Sequence, residues 1–329
     1  MNQIKIAGEE IALCQVKQIQ IPVAKLPTQT MMSLPVTVIN GKASGAKLWL
    51  SGAIHGDEIN GVEIIRQVVA SINPHRLRGT LIAVPIVNVF GFIEQSRYLP
   101  DRRDLNRCFP GSETGSLASR LANLFMREIV ANCTHGIDLH TAAIHRVNLP
   151  QIRANLEDEE TKRCAIAFNT PVMIHATTRD GSLRQAVSNK GIPILLYEGG
   201  EALRFDAEAI RIGVRGILQV MDYLGMYNIF NHGIDDNGIS QSHSESTNHL
   251  QSAIVVNQSK WIRASSSGLF LLETNLGAKV EKKQILGKIT DAFGNKSISI
   301  KAPFPGIVIG HGQNPLVNQG DAIIHLASI

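Results

Sequence analysis

The sequence predicts an α/β fold, a mixed and mostly parallel sheet with helices on both faces, followed by a small all-β C-terminal domain. Three observations predict it. From about residue 46 to 225, strand-like apolar runs alternate with helix-length amphipathic segments, the pattern of strands joined by covering helices. Residues 228–250 (NIFNHGIDDNGISQSHSESTNHL) are poor in apolar side chains and rich in Asn, Ser, His and Gly, which reads as a linker or surface excursion. Beyond them come short alternating runs punctuated by glycine, with almost no helical periodicity.

In chain order, residues 48–54 (LWLSGAI) read as a strand and 61–72 (GVEIIRQVVASI) as a helix ended by Asn73-Pro74. Residues 80–87 (TLIAVPIV) form another apolar strand, with Pro85 as a blemish. Apolar side chains at 117, 121, 124, 125 and 129 give 117–133 a helical period. Short strands follow at 137–140, 172–176 and 194–198, and a helix at 207–224 closes the set. The division is then a catalytic domain at 1–228, a linker at 229–250 and a small β domain at 251–329. The first 45 residues are β-rich, and the sequence does not say which body they join.

At 329 residues with 44% hydrophobic content, the chain is comfortable for two domains with a sizeable core. Its formal net charge of +4 is dispersed along the chain, which speaks against a nucleic-acid or membrane-surface partner and leaves room for a small anionic substrate. No run approaches the roughly 18 apolar residues that span a bilayer. Cys14, Cys108, Cys133 and Cys164 follow no paired spacing, and the N-terminus MNQIKIAGEE lacks the basic-then-apolar pattern of a signal peptide. The expectation is a cytoplasmic protein with reduced thiols. Homo-oligomerisation is left open.

The stretch SGAIHGDEING at 51–61 places His55 and Glu58 three residues apart where a buried strand ends. If a helix starts near 56–58, the two side chains face one way across its first turn. A catalytic zinc site takes three protein ligands, and two His with one Glu is a known set. His140, at the end of the run GIDLH, supplies the third from another strand terminus. Asp138, two residues earlier, shares its face; it either orients a ligand or is a structural strand-end carboxylate. Glu198 ends the run PILLY and precedes Gly199-Gly200. A carboxylate there can take a proton from water and hand it to a leaving nitrogen. Glu201 competes for this role, but is expected on a mobile loop. In the segment RDLNRCFPG at 103–111, Asn106 beside Arg107 can hold a substrate carboxylate, since a guanidinium grips it bidentately. A solvated charged loop is the plainer reading of that segment.

HGDE at 55–58, RDLNRCFPG at 103–111, DLH at 138–140 and YEGG at 197–200, in this order, resemble the succinylglutamate desuccinylase/aspartoacylase family of the zinc carboxypeptidase-like superfamily. The resemblance covers roughly residues 45–225, and the β-rich tail looks like the small barrel appended in one branch. It implies one zinc ion per chain on His55, Glu58 and His140, with nickel, cobalt or iron also compatible with those ligands. It further implies Glu198 as general base, a carboxylate grip from Asn106 and Arg107, and a second anionic contact from Arg97. Aspartoacylases proper carry Asn-Pro-Arg after the second strand, where this chain reads Asn88-Val89-Phe90. Arg146 and Arg153 are candidates to replace the missing arginine. The tail also faintly resembles biotinyl/lipoyl domains, but Lys296 in the hairpin DAFGNKSI lacks the flanking motif of a modified lysine, so a structural or oligomerisation role is expected. The expected activity is hydrolysis of an N-acyl amino acid or related small amide. A peptide carboxypeptidase and an inactive metal-binding module are the alternatives.

Overall fold

The computed structural model describes residues 3–228 and 253–329, so almost all of the expected linker lies outside the described residues. The chain begins with two hairpins. β1 (Ile4–Ile6) pairs with β2 (Glu9–Ile11), and β3 (Gln15–Lys25) with β4 (Met31–Asn40). The central strands β5 (Ala43–Gly52), β6 (Arg78–Val84), β7 (His135–Ala142) and β10 (Ile194–Glu201) run parallel in the order β10-β7-β5-β6. β4 pairs antiparallel with β6 and so fastens the β-rich N-terminal segment to this sheet. On the other side, β8 (Arg146–Ala154) runs antiparallel to β10 and parallel to β9 (Val172–His175).

Side chains alternate across the strands because successive residues point to opposite faces. Leu48 and Leu50 of β5 pack on one face with α1 (Asn60–Ser71), α4 (Glu159–Phe168) and α6 (Ala207–Tyr223). Trp49 packs on the other with α2 (Val89–Ile93), α3 (Leu117–Glu128) and α5 (Leu183–Ser188). The predicted helices on both faces are therefore present, each side closed by its own apolar cluster.

Three elements carry no clear period in the sequence. β8 (RVNLPQIRA) interrupts its apolar positions with Asn148, Pro150 and Gln151. The buried face of α4 is made largely of small or polar side chains, with Phe168 the large one. α5 is a short helix of 6 residues. Two local expectations are corrected. α1 begins at Asn60, not near 56–58, so His55 and Glu58 sit on the turn before it. Glu201 is the last residue of β10, not a loop residue.

The C-terminal strands are β11 (Ile254–Val256), β12 (Ser259–Arg263), β13 (Gly268–Leu272), β14 (Lys279–Val280), β15 (Ile285–Thr290), β16 (Ser297–Lys301), β17 (Gly306–Gly312), β18 (Leu316–Val317) and β19 (Ala322–Ser328). β16-β15-β13-β18 form a separate antiparallel sheet, whereas β17, β19 and β12 extend the main sheet outward from β8. Val172 and Ile174 of β9 share a buried cluster with Val256, Ile307, Ile309 and Ala327, so apolar packing is continuous across this junction.

Candidate active site

His55, Glu58, His140 and Glu198 come from three crossings of the sheet and meet beyond its carboxyl edge, where α/β sheets place their ligands. β5 ends at Gly52 and the chain turns through 53–59, with the Glu58 N–H donating to the His55 carbonyl at 3.1 Å. The turn is held against a neighbouring loop. A Cβ on Gly56 would lie 2.0 Å from the backbone of Gly91, so only glycine permits this approach. Parallel pairing of β7 and β10 sets His140 directly beside Glu198. A register shift between Glu198 and Glu201 then bends the strand end, through Gly200 at φ +78°. Buried Asn60 ties that bend to the first turn of α1 by donating to the Gly199 carbonyl at 3.2 Å and accepting from Asp206 N–H at 3.1 Å.

Glu58 stands between the two imidazoles. Its Oε1 is 2.7 Å from His55 Nδ1 and its Oε2 2.7 Å from His140 Nδ1, and Oε2 also accepts from Thr141 N–H at 3.1 Å. The far nitrogens are held by carboxylates, His55 Nε2 by Asp104 at 3.2 Å and His140 Nε2 by Asp138 at 2.8 Å. Ser51 donates to the other oxygen of Asp138 at 2.8 Å. Asp138 thus occupies the orienting position.

Burial alone would lower the pKa of both histidines. Glu58 and Asp104 outweigh it at His55, and Asp138 and Glu58 at His140, so both are raised. Burial would likewise raise Glu58, but the two histidines hold its carboxyl well below the usual carboxylate range. The two raised histidines favour the cationic form and the lowered Glu58 the anionic one, so opposite charges hold one another in this group. One ligand atom from each of the three lies within 4.8 Å of the others. Buried, carboxylate-buttressed imidazoles beside a carboxylate suit a divalent cation of the zinc type. The residues present fit the metal that the sequence implies.

Glu198 accepts a hydrogen bond from Asn148 Nδ2 and lies 3.5 Å from Arg153 Nε. Arg97 reaches the same group from the loop after α2, with Nη2 3.0 Å from Asp104 and Nη1 3.4 Å from Glu58. Asn106 lies in a turn capped by the Asp104 side chain, and its carbonyl oxygen accepts from Leu183 N–H at 2.9 Å. That bond leaves the Asn106 amide NH₂ for a ligand. The exposed Arg107 guanidinium donates to its neighbour's carbonyl, that of Asn106, at 2.5 Å. Asn88 caps α2 while Val89 and Phe90 enter the core.

All seven residues singled out for the site line one cavity of about 320 Å³. Six arginines line this cavity (Arg97, Arg107, Arg146, Arg153, Arg179, Arg184) against two carboxylates, Glu58 and Glu198. Trp261 of β12 also lines it, with the Arg146 guanidinium 4.9 Å from its ring centre. Sequence reasoning missed Asp104, Asn148, Arg179, Arg184 and Trp261. Asp104 alone had a local signal, as a carboxylate inside the segment already chosen. No helix among the described residues is long and apolar enough to cross a membrane, and all four cysteines are free.

Residues 44–224 match the family described as the succinylglutamate desuccinylase/aspartoacylase catalytic domain. Over 306 residues the chain is 26% identical to N-alpha-acetyl-L-2,4-diaminobutyric acid deacetylase of Halomonas elongata, covering 90% of this chain and 86% of that protein. Among solved structures, a succinylglutamate desuccinylase/aspartoacylase from Rhodobacter sphaeroides superposes with a TM-score of 0.79 at 25% identity, covering 95% of this chain and 94% of that one. The product-bound ectoine utilization protein EutE from Ruegeria pomeroyi gives 0.81 at 23% identity, covering 97% and 98%. With the motifs seated at the strand ends and the match spanning more than half of its length, this chain belongs to the succinylglutamate desuccinylase/aspartoacylase family.

Proposed function

We propose that this protein is a metal-dependent deacylase that hydrolyses the amide of a small, anionic N-acyl amino acid. The observation that carries the reading is the buried His55–Glu58–His140 group with Glu198 beside His140, facing a cavity in which arginines outnumber carboxylates six to two. The Halomonas relative is named as a deacetylase of an N-acetylated amino acid, which supports the same reaction type.

His55, Glu58 and His140 would hold one zinc ion, which when bound polarises the scissile carbonyl and lowers the pKa of water towards roughly 7. Glu198 accepts the water proton and later delivers it to the departing amine nitrogen. Asn148 and Arg153 hold the Glu198 carboxylate from either side, fixing where that proton is received. Asn106 and Arg107 grip the substrate carboxylate and set the carbonyl against the ligand group. Arg97, already engaged by Asp104 and Glu58, presents the rest of its guanidinium to developing negative charge.

The arginine surplus argues against a substrate with a free cationic side chain and for one with carboxylates. Peptide carboxypeptidase activity is the second reading, and a cavity of about 320 Å³ disfavours it because that is the small end of ligand pockets. Amine release from N-acetyl and N-succinyl amino acids and short peptides, before and after chelation and zinc return, tests the proposal. Chelator-sensitive, zinc-restored hydrolysis of an acidic N-acyl amino acid is expected. Turnover of peptides alone would replace the reading by the carboxypeptidase one.

A further inference from the structure

A second cavity, of about 780 Å³, adjoins the first and shares Arg153, Arg179 and Arg184 with it. It lies between β9 and the start of the C-terminal strands, with Lys260, His175 and Phe304 among its lining residues. Among the described residues, no Asp or Glu lines it. Four cations therefore face a cavity that has no carboxylate of its own among the described residues.

Glu198 of the first cavity offsets these cations only in part, from 3.5 Å at Arg153. Arg184, buried, donates to the backbone carbonyls of Ala176 and Thr177 at 2.9 and 2.7 Å, which orients its guanidinium without cancelling its charge. Burial, with repulsion from Arg153 and Arg179, pushes its pKa down to about 10. Arg153 Nε is buried without a hydrogen-bond partner, and its nearest carboxylate, Glu198 at 3.5 Å, belongs to the catalytic group. Holding like charges this close costs free energy that a bound anion recovers. Trp261 of β12 lines the first cavity and Lys260 the second one, so the two can be perturbed separately.

We propose that the second cavity is an anion-binding site, taking a carboxylate or phosphate group on Arg153, Arg179, Arg184 and Lys260. The anion has two sources with the same chemistry, the distal end of a long acidic substrate or a separate small anion. The inference stands on the cavity itself and does not require the deacylase reading.

The test titrates inorganic phosphate into the full-length protein, against sodium chloride at equal ionic strength, and reads binding heat and melting temperature. The same titrations are made on Lys260→Glu and on Lys260→Ala, both at an exposed position. Saturable binding that raises the melting temperature is expected, weakened about tenfold by Lys260→Glu, which is about 1.4 kcal/mol. Phosphate that also raises KM for the N-acyl substrate, with kcat unchanged, identifies the site as the substrate's distal end. Phosphate that binds without competing identifies a separate anion. A response no larger than that to sodium chloride, or equal binding by wild type and both variants, overturns the proposal. The binding readout needs no turnover, so failure of the deacylase reading and failure of this one are told apart.

Discussion

Of the two carboxylates lining the cavity, Glu198 is the one not packed between the two histidines, and it is the residue proposed to move a proton. Replacing it by Gln keeps shape and most hydrogen bonding but removes the base, so kcat should fall about 10²–10⁴-fold. Metal content, measured by elemental analysis, should stay at that of the wild type. Retained turnover would remove Glu198 from the mechanism. Asp138 acts one step further out, on His140 Nε2. Asp138→Asn should weaken metal retention about 10–100-fold in a chelator competition, with little change in kcat once metal is saturating. His55, His140 and Glu198 could be picked out in the sequence because each follows or ends a recognisable apolar run, with Glu58 three residues after His55, and strand ends are where such sheets do chemistry. Asp104 and Asn148 were not, because their roles exist only after a loop and an antiparallel strand have packed against residues 49 and 50 positions away.

The elements that carry the site are joined by close backbone contacts that leave no tolerance. The turn between β5 and α1 touches the α2 helix at Gly56, where a Cβ would meet Gly91 C at 2.0 Å, Phe92 N at 2.2 Å and Gly91 O at 2.3 Å. These are backbone atoms and cannot swing away as a side-chain end would. Gly56→Ala should therefore displace His55 while leaving the sheet intact. The expected result is a folded protein by circular dichroism whose activity falls about 10²-fold or more, the cost of roughly 1 Å of misplacement. Full activity would show that the turn can relax. At this scale the parallel strands and long helices were legible because their buried faces repeat with period 2 or 3.6. β8 was not: it carries polar Asn148 and Arg153 toward the cavity, and function has removed the apolar pattern that would have announced a strand.

Across the whole molecule, the C-terminal strands complete the substrate cavity. Gly310 of β17 pairs with Asn148 of β8, and Trp261 of β12 stacks between Arg146 and His325, whose ring lies 4.7 Å away at 12°. The composition of the tail showed a β domain, but not that five of its strands (β11, β12, β14, β17 and β19) join the main sheet, because pairing partners far apart in sequence leave no local trace. Trp261→Ala should release Arg146 and open one wall. A cation–π contact of this kind is worth about 0.5–2 kcal/mol, so KM should rise a fewfold to tenfold while kcat changes little. A fall in kcat alone would place Trp261 among the groups that act on the reacting atoms. His325 makes the same junction sensitive to acid. Burial, with Arg153 and Arg146 nearby, pushes its pKa down to about 3, from an ordinary value of 6.5. Between those values the unfolded chain binds a proton that the folded one refuses, so stability from this group is complete above about pH 6.5 and declines as pH falls towards 3. His325→Phe keeps a ring on Trp261 but cannot take the proton. Its melting temperature should therefore drop less than that of wild type between pH 7 and pH 4, and parallel curves would show that the junction does not open in acid through this residue.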